Sequence, residues 1–333
     1  SPTAPAGPYQ DGAASGVWSL AEALSYTKGG LWPTTGNLLS RALFFGGAGL
    51  YENIDYVSLT TAGNAADFGE MSQWAAYRAT YMAAFSSATR AIAAGGGSTI
   101  QNAIGYVTVA TLGNTTDFGD LQPATARCSG LSNATRGLVC AGRTGSGVVN
   151  TIQQVQIATT GNSTDFGDVT QARTYLSSCA STTRGVMFGG QDGSSNVYNT
   201  IDYVTIGTAG NATDFGNLSV AREQTASASS STRAVTGGGQ GSGGSAQNVI
   251  DYVTISSTGD STDFGDLSGA GTQVVAPSAA SSKTKALFAG GDGTVDIRFV
   301  TIASAGNTSD YGDLTVSNRL GHGASSTHGG LAA

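Results

Sequence analysis

The chain has 333 residues, of which 39% are hydrophobic and 11% are charged, and its formal net charge is -7 at pH 7. This composition can supply a buried core but leaves few ionisable side chains for acid–base chemistry. Negative charge gives no electrostatic reason to expect a nucleic-acid partner, and no apolar run is long enough to span a bilayer. We therefore expect neither nucleic-acid binding nor membrane insertion.

The first 40 residues differ in composition from the rest of the chain. Residues 1–16 are rich in Pro, Gly and Ala and lack the apolar residues for a core of their own, and a short helix is predicted over Ser19–Thr27. We interpret residues 1–40 as an extended N-terminal arm for docking or oligomerisation. Its candidate apolar anchors are Trp18, Leu20, Trp32 and Pro33. Packing of these side chains beneath the rest of the same chain is the alternative.

Residues 41–333 repeat with a period of 47 to 50 residues. Each unit contains a run of small residues, an apolar run that ends in paired glycines, an alternating run such as Asn199–Ile206, and a short aromatic run. The alternating run carries apolar groups on both faces, which is typical of a strand buried between two sheets. Regular repeats of four short strands predict an all-β fold, a six-bladed β-propeller of four-stranded antiparallel blades.

Each unit also contains a version of the phrase Gly-Asn-x-x-Asp-Phe-Gly. We predict that it forms the turn between the third and fourth strands, where Asp bonds the following backbone amides and the aromatic residue enters the gap between blades. These structural-repeat residues are Asp67, Asp117, Asp165, Asp214, Asp263, Asp310, Phe68, Phe118, Phe166, Phe215, Phe264 and Tyr311. A ring of Ca²⁺ sites is the alternative, but one Asp per turn supplies too few oxygens. We expect no metal and no cofactor.

Most of the basic residues follow the same period. Six begin the second strands, namely Arg41, Arg90, Arg136, Arg184, Arg233 and Lys285. Five more stand near the start of the first strands, namely Arg78, Arg127, Arg173, Arg222 and Arg319. We predict that these side chains form Arg–Asp pairs that link the ends of the blades.

The repeats disagree in the turns between second and third strands and in the connections between blades, which emerge on one face of a propeller. The connection Met71–Phe85 is much more aromatic than its counterparts. Stacking and hydrogen-bonding groups on this face are suited to a sugar or a protein. The candidate binding residues are Tyr51, Trp74, Tyr77, Arg143 and Tyr198. For Trp74 and Tyr77, packing against a neighbouring blade or subunit is the alternative.

Few residues suggest catalysis. The only histidines, His322 and His328, lie near the C-terminus, and we interpret them as exposed or strand-end residues. Cys128, Cys140 and Cys179 are interpreted as buried thiols, with a Cys128–Cys140 bridge as the alternative. Residues 319–326 are predicted to join the ends of the ring as the innermost strand of the first blade, and no position is predicted for residues 327–333.

From about residue 40 to residue 333, the repeat resembles kelch-type propeller repeats, which carry a double glycine, a third-strand aromatic and a fourth-strand anchoring aromatic. The glycine pairs include Gly46-Gly47, Gly95-Gly96, Gly189-Gly190, Gly238-Gly239 and Gly290-Gly291, and the third-strand aromatics are Tyr56, Tyr106, Tyr203, Tyr252 and Phe299. The chain departs from that pattern in two ways: Phe or Tyr replaces the usual fourth-strand Trp, and Gln154 replaces one third-strand aromatic.

The Trp-containing segment GVWSL, followed by such Gly-rich repeats, resembles virion proteins of tailed bacteriophages, especially marine ones. This resemblance implies a non-enzymatic tail-fibre, spike or capsid-decorating protein, assembled in the host bacterial cytoplasm. It implies contacts with other virion subunits through the arm, a homo-oligomer within the particle, and adhesion to a host glycan or surface protein or stabilisation of the particle. The alternative function is a propeller glycan hydrolase that acts on host surface polysaccharide, which needs paired carboxylates.

Overall fold

The computed structural model describes residues 40–46, 52–74, 79–97, 99–267, 275–291, 293–318 and 321–331. The predicted arm and its anchors Trp18, Leu20, Trp32 and Pro33 lie outside these ranges, as does the helix predicted over Ser19–Thr27. In the described ranges the regular structure consists of 24 strands and two short 3₁₀ helices, Ser72–Trp74 and Ser242–Gly244. None of the helical segments in these ranges has the length and apolar character of a membrane-spanning helix.

The first twelve strands belong to blades 1, 2, 3 and 4. They are β1 (Arg41–Phe45), β2 (Asn53–Ser58), β3 (Ala66–Glu70), β4 (Ala83–Ser86), β5 (Arg90–Ala94), β6 (Ala103–Thr108), β7 (Thr116–Asp120), β8 (Ser129–Ser132), β9 (Arg136–Thr144), β10 (Gly147–Gln156), β11 (Thr164–Asp168) and β12 (Ser177–Ala180). Small residues in the first strand of each blade let six such strands approach one axis closely.

The other twelve strands complete the ring. They are β13 (Arg184–Phe188), β14 (Thr200–Thr205), β15 (Thr213–Asn217), β16 (Ala226–Ser229), β17 (Arg233–Gly237), β18 (Val249–Thr254), β19 (Thr262–Asp266), β20 (Ser278–Ser281), β21 (Lys285–Ala289), β22 (Asp296–Thr301), β23 (Ser309–Asp313) and β24 (His322–Ser325). Together the 24 strands form six antiparallel four-stranded sheets. The expected all-β, six-bladed propeller is confirmed.

The ring closes through blade 1, whose innermost strand comes from the C-terminal end of the chain. β24 pairs with β1, so that Leu43 lies opposite Ala324 and Phe45 lies opposite His322. The innermost strands β4, β8, β12, β16, β20 and β24 contact one another in a closed cycle around the axis. Closure of this kind ties the last blade to the first by backbone hydrogen bonds.

Six hydrophobic clusters hold neighbouring blades together. In one cluster, Phe188, Ile201 and Phe215 of blade 4 pack against Val253 and Ile255 of blade 5. The ring of the repeated phrase is buried in every blade, with only 2% of each of these residues exposed, and burial of one such ring stabilises the fold by about 2 kcal/mol. In five blades it also meets the third-strand aromatic edge to face, with centroids 5.5 to 6.0 Å apart.

The repeated phrase links each blade to the one before it, but through a different residue from the one predicted. Asn211 Oδ1 accepts a hydrogen bond from the backbone N–H of Asp168 in the preceding blade at 3.1 Å. The same bond, at 2.9 to 3.2 Å, is made in the other blades by Asn64, Asn114, Asn162, Asp260 and Asn307. The six Asp residues of the phrase are all exposed. The prediction that Asp caps its own turn is therefore wrong. The side chain that accepts from a backbone amide is the one directly after the first glycine, such as Asn211, and that amide belongs to the preceding blade.

The glycine after the aromatic residue is required by close approach between blades. At Gly216, whose φ is +147°, a Cβ atom would lie 2.4 Å from the carbonyl oxygen of Gly259 in the next blade. The Gly259 N–H donates to the Phe215 carbonyl oxygen at 2.8 Å, so the two backbones are already in contact. We call the six copies of the repeated phrase, with the inter-blade contacts that they make, the outer turns.

The basic residues that begin the second strands also link blades, and their acceptors are carbonyl oxygens. Arg184 donates to the Ile255 carbonyl oxygen of the next blade at 3.0 Å, and its Cζ lies 4.5 Å from the ring centroid of Tyr203. Equivalent inter-blade bonds are made by Arg41, Arg90, Arg136 and Arg233. The predicted Arg–Asp pairs are wrong for these arginines, since a sequence does not reveal backbone acceptors.

Two arginines before first strands do pair with aspartates, within their own blades. Arg173 lies 2.7 Å from Asp202, and Arg222 lies 2.7 Å from Asp251, with both side chains of each pair fully buried. Burial acts to lower the pKa of both guanidinium groups, and the neighbouring carboxylate acts to raise it. Arg78 and Arg319 lie outside the described residues, and Arg127 has a different position described below.

All three cysteines are free and buried, as the interpretation without a bridge predicts. In the register of β8 and β9, Cys140 lies opposite Ser129 rather than Cys128. Burial raises the pKa of both Cys128 and Cys179 to about 12. These thiols are therefore protonated at neutral pH and serve as apolar packing groups.

Candidate functional site at the axial mouth

Of the five residues predicted to bind a ligand, the three that the structure describes do not form one site. Tyr51 and Tyr77 lie outside the described residues. Trp74 is fully buried, and its indole N–H donates to the Gly95 carbonyl oxygen at 2.8 Å. Its surroundings agree with the alternative interpretation, packing between blades, because an indole with no exposed surface cannot touch a ligand.

The other two predicted residues belong to neighbouring blades, Arg143 to the end of β9 and Tyr198 to the loop between β13 and β14. Arg143 has an exposed side chain, while its backbone pairs with that of Ala126. Tyr198 is half-buried and its hydroxyl donates to Asp192 Oδ2 at 3.3 Å. Hydrogen bonds from Asn196 lower the pKa of the exposed Asp192 carboxylate, which organises this loop. Both residues remain candidates for contact with a partner.

The structure draws attention instead to the position just before the innermost strands, where the chain turns toward the axis. Five residues occupy equivalent places in blades 2 to 6, with φ between +53° and +57°. They are Tyr81, Arg127, Tyr175, Gln224 and Ala276. This left-handed conformation is uncommon for residues other than glycine, and it costs about 1 kcal/mol at each position. We call these five residues the axial mouth.

The unusual conformation is explained by a chain of backbone hydrogen bonds around the axis. The N–H of Arg127 donates to the Tyr81 carbonyl oxygen at 2.7 Å, and that of Tyr175 to the Arg127 carbonyl oxygen at 3.0 Å. The N–H groups of Gln224 and Ala276 continue the series at 2.8 and 3.1 Å. The backbone of the axial mouth therefore repeats from blade to blade, whereas its side chains differ at every step.

Arg127 lies between two tyrosines at the axial mouth. Its Cζ is 4.9 Å from the ring centroid of Tyr175 and 5.7 Å from that of Tyr81, and the two rings meet edge to face at 5.3 Å. Among the described residues, its guanidinium group has no hydrogen-bond acceptor and no ion pair. Burial, followed by the proximity of Tyr81, raises the pKa of Tyr175, so the hydroxyl of Tyr175 is protonated and can donate a hydrogen bond at neutral pH.

A cavity of about 330 Å³, counted with its open entrance, is lined by Tyr81, Arg127, Tyr175, Gln224 and His322 among others. The Oε1 atom of Gln224 is buried and has no hydrogen-bond donor. Burial lowers the pKa of His322 to about 4, so this half-buried imidazole is neutral at pH 7. The cavity therefore offers one cation, one unused acceptor and several neutral polar groups.

Beyond the mouth, the axis is lined mainly by serine, alanine and glycine. Ser86 donates to the Ser325 carbonyl oxygen, Ser132 to that of Ser86, and Ser281 to that of Ser229. These bonds join the innermost strands from blade to blade around the axis. Ala180 occupies the position of a serine in blade 4, and its own carbonyl oxygen accepts from Ser229 at 2.8 Å.

The residues after β24 close the far end of the axial channel. His328 Nε2 donates to the Ser86 carbonyl oxygen at 3.0 Å, its Nδ1 accepts from the Gly330 N–H at 3.1 Å, and the Gly329 N–H donates to the Ser229 carbonyl oxygen at 3.0 Å. Ser86 belongs to blade 2 and Ser229 to blade 5, so residues 326–331 cross the axis. The prediction of exposed or strand-end histidines is wrong for His328, which is a partly buried tail residue.

The sequence contained a signal for the axial mouth that the periodicity obscured. Arg127 was grouped with Arg173 and Arg222, but the equivalent of Arg173 in blade 3 is Thr125, whose hydroxyl accepts from Gln153 in place of an Arg–Asp pair. Aligned on the innermost strands, Arg127 instead matches Tyr175 and Gln224. Among the described residues there is no group of three or more side chains suited to hold a metal ion.

No protein-family model matches the chain, and no curated protein matches it. Among solved structures, the one titled "Structure of YjhT" is similar with a TM-score of 0.62 and 9% sequence identity, over 74% of this chain and 87% of that one. A likeness at this identity shows a shared fold and nothing about function. The comparisons therefore establish this chain as a β-propeller.

Proposed function

We propose that this chain is a structural protein of a bacteriophage virion that displays its propeller and binds a host glycan or surface protein through the face around the axial mouth. One observation carries the binding part of the proposal. Equivalent positions with the same strained backbone hold Tyr, Arg, Tyr, Gln and Ala, and the arginine among them is unpaired in the described residues. Variation of side chains on a constant backbone is expected where one side of a ring must match an asymmetric ligand.

The virion part of the proposal is supported by the resemblance of the repeats and of the segment GVWSL to phage virion proteins. In this proposal, residues 1–40 attach the chain to a capsid or tail subunit, with Trp18 and Trp32 as anchors. Display in many copies strengthens a weak individual contact with the host surface.

The proposal is tested by cryo-electron microscopy of the phage particle that carries this chain, combined with binding of the purified chain to host cells. We expect density for the arm against a capsid or tail subunit and an outward-facing axial mouth. An axial mouth covered by another subunit would replace adhesion with a purely architectural role. Release of reducing ends from the bound polysaccharide would instead support the glycan hydrolase.

A further inference from the structure

We propose that the axial mouth binds the carboxylate of an acidic sugar, with Arg127 as the group that recognises its charge. This inference rests on the proposed function, because it names the ligand class of the same surface. The guanidinium group of Arg127 carries five N–H donors and has no acceptor among the described residues. In contrast, the arginines that begin second strands, such as Arg90, Arg184 and Arg233, donate to carbonyl oxygens of neighbouring blades.

The position of Arg127 is fixed before any ligand arrives. Its backbone N–H and carbonyl oxygen are both bonded within the chain of the axial mouth, to Tyr81 and Tyr175 respectively. The rings of the same two tyrosines flank the guanidinium group. A planar group held by two aromatic rings loses little freedom on binding, and its fork of donors fits two carboxylate oxygens. This geometry favours a carboxylate that arrives from the open side of the cavity.

The neutral groups of the cavity are suited to sugar hydroxyls. Gln224 Oε1 is a buried acceptor without a donor, and a hydroxyl of the ligand would supply one. His322 is neutral, so it can both donate and accept. Exposed faces of tyrosine rings pack well against the C–H faces of sugars. A ligand with one carboxylate and several hydroxyls uses all of these groups.

One acidic residue lies near the mouth and has to be weighed against this proposal. Glu223 is only 5% exposed, and its Oε1 accepts from Gln240 at 2.8 Å. Burial raises its pKa, while Gln240 and Arg127 lower it. It forms no ion pair with Arg127, so it leaves the N–H groups of that arginine available. Among the described residues that line the cavity, Arg127 is the cation, and a neutral ligand would leave it unused.

The test is isothermal titration of the full chain with trigalacturonate at pH 7, beside its methyl ester and glucose 6-phosphate. We expect trigalacturonate to bind and the uncharged ester to bind at least about tenfold more weakly, because the ester loses the charge-assisted hydrogen bonds that a carboxylate makes with a guanidinium group. Equal binding of acid and ester would overturn the proposal. Tighter binding of glucose 6-phosphate would replace the carboxylate with a phosphate, and no binding of trigalacturonate at millimolar concentration would also overturn it.

Variants locate the site. Arg127→Gln should weaken trigalacturonate binding at least about tenfold, and Arg127→Lys should restore part of it, because Lys keeps the charge but loses the bidentate fork. Lys283→Gln, which removes an exposed cation in the turn between β20 and β21, is the matched control and should bind as the unmodified chain does. Loss of binding in the control with none in Arg127→Gln would place the site elsewhere. If the chain adheres to host cells while trigalacturonate does not bind, this inference fails and the proposed function stands.

Discussion

At the outer turns, equivalent positions of the six blades hold nearly the same residues, whereas at the axial mouth they hold Tyr81, Arg127, Tyr175, Gln224 and Ala276. The backbone repeats in both regions. At the outer turns the side chain after the first glycine, Asn in five blades and Asp in one, bonds the neighbouring blade, so its loss in one blade would break a contact with the next. At the mouth the inter-blade bonds are made by backbone atoms alone, which frees the side chains to differ. Repetition in this chain therefore marks the residues that hold the ring together.

The largest effect is expected where the outer turns are tightest. Gly216→Ala places a Cβ atom 2.4 Å from the Gly259 carbonyl oxygen at a φ of +147°, and should lower the free energy of unfolding by about 3 kcal/mol. Gly207→Ala is the matched control, because that glycine is exposed with no atom within 4 Å, and should change it by less than about 0.5 kcal/mol. Urea denaturation measures both. Equal losses in the two variants would show that the inter-blade contact is not what requires glycine.

The mouth should make stability depend on pH. His322 has a pKa of about 4 in the folded chain and about 6.5 when unfolded, so the unfolded chain binds more protons between these values. The free energy of unfolding should therefore fall as pH drops from 6.5 to 4, by an amount on the order of 2 kcal/mol from this residue. His322→Asn should reduce the dependence in that window, and the part that remains comes from His328, whose pKa is also lowered by burial. Parallel curves for the variant and the unmodified chain would contradict the assignment.

The next largest effect on the free energy of unfolding is expected at the basic residues that begin the second strands. Arg184→Met removes the bond to the Ile255 carbonyl oxygen and the stacking over Tyr203, and should lower the free energy of unfolding by about 1–2 kcal/mol. Arg143→Met removes an exposed arginine without these contacts and should cost less than about 0.5 kcal/mol. Thermal unfolding of the two variants gives the comparison. A larger loss in Arg143→Met would argue against inter-blade support by Arg184.

The smallest effect is expected when Asn and Asp of the repeated phrase are each replaced and the free energies of unfolding are compared. Asn211→Ala loses the bond to the Asp168 N–H and should lower the free energy of unfolding by about 1 kcal/mol. Asp214→Ala removes an exposed carboxylate that makes no hydrogen bond in the described part of the chain, and should be nearly neutral. The reverse order in urea denaturation would restore the original interpretation of the aspartate.

The fold could be predicted from the sequence because the residues that each blade requires recur in six repeats. The buried ring of Phe215 and its five counterparts followed from that periodicity. The partner of Asn211 did not, since Asn and Asp both accept from backbone amides and only coordinates show which one lies beside the amide. The sequence does not distinguish a buried Trp74 from an exposed one, because an aromatic connection looks the same in sequence whether it packs inward or outward.

The axial mouth was missed for a different physical reason. Tyr81, Arg127 and Tyr175 are about one repeat apart in the sequence, and only closure of the ring brings their side chains together. These residues share a positive backbone φ angle. Tyr and Arg rarely adopt that angle, so the residue types do not suggest it. Differences among aligned repeats, read at one position at a time, are the sequence signal that points to them.

The most direct test of the account is urea unfolding with and without trigalacturonate, applied to two triple variants. The outer-turn variant, Asn162→Ala/Asn211→Ala/Asn307→Ala, should lose about 3 kcal/mol of unfolding free energy and keep the full stabilisation by ligand. The mouth variant, Tyr81→Phe/Arg127→Gln/Tyr175→Phe, should change stability by less than about 1 kcal/mol and lose the stabilisation by ligand. The opposite assignment, with ligand stabilisation lost at the outer turns and kept at the mouth, would contradict the division between residues that hold the ring and residues that bind.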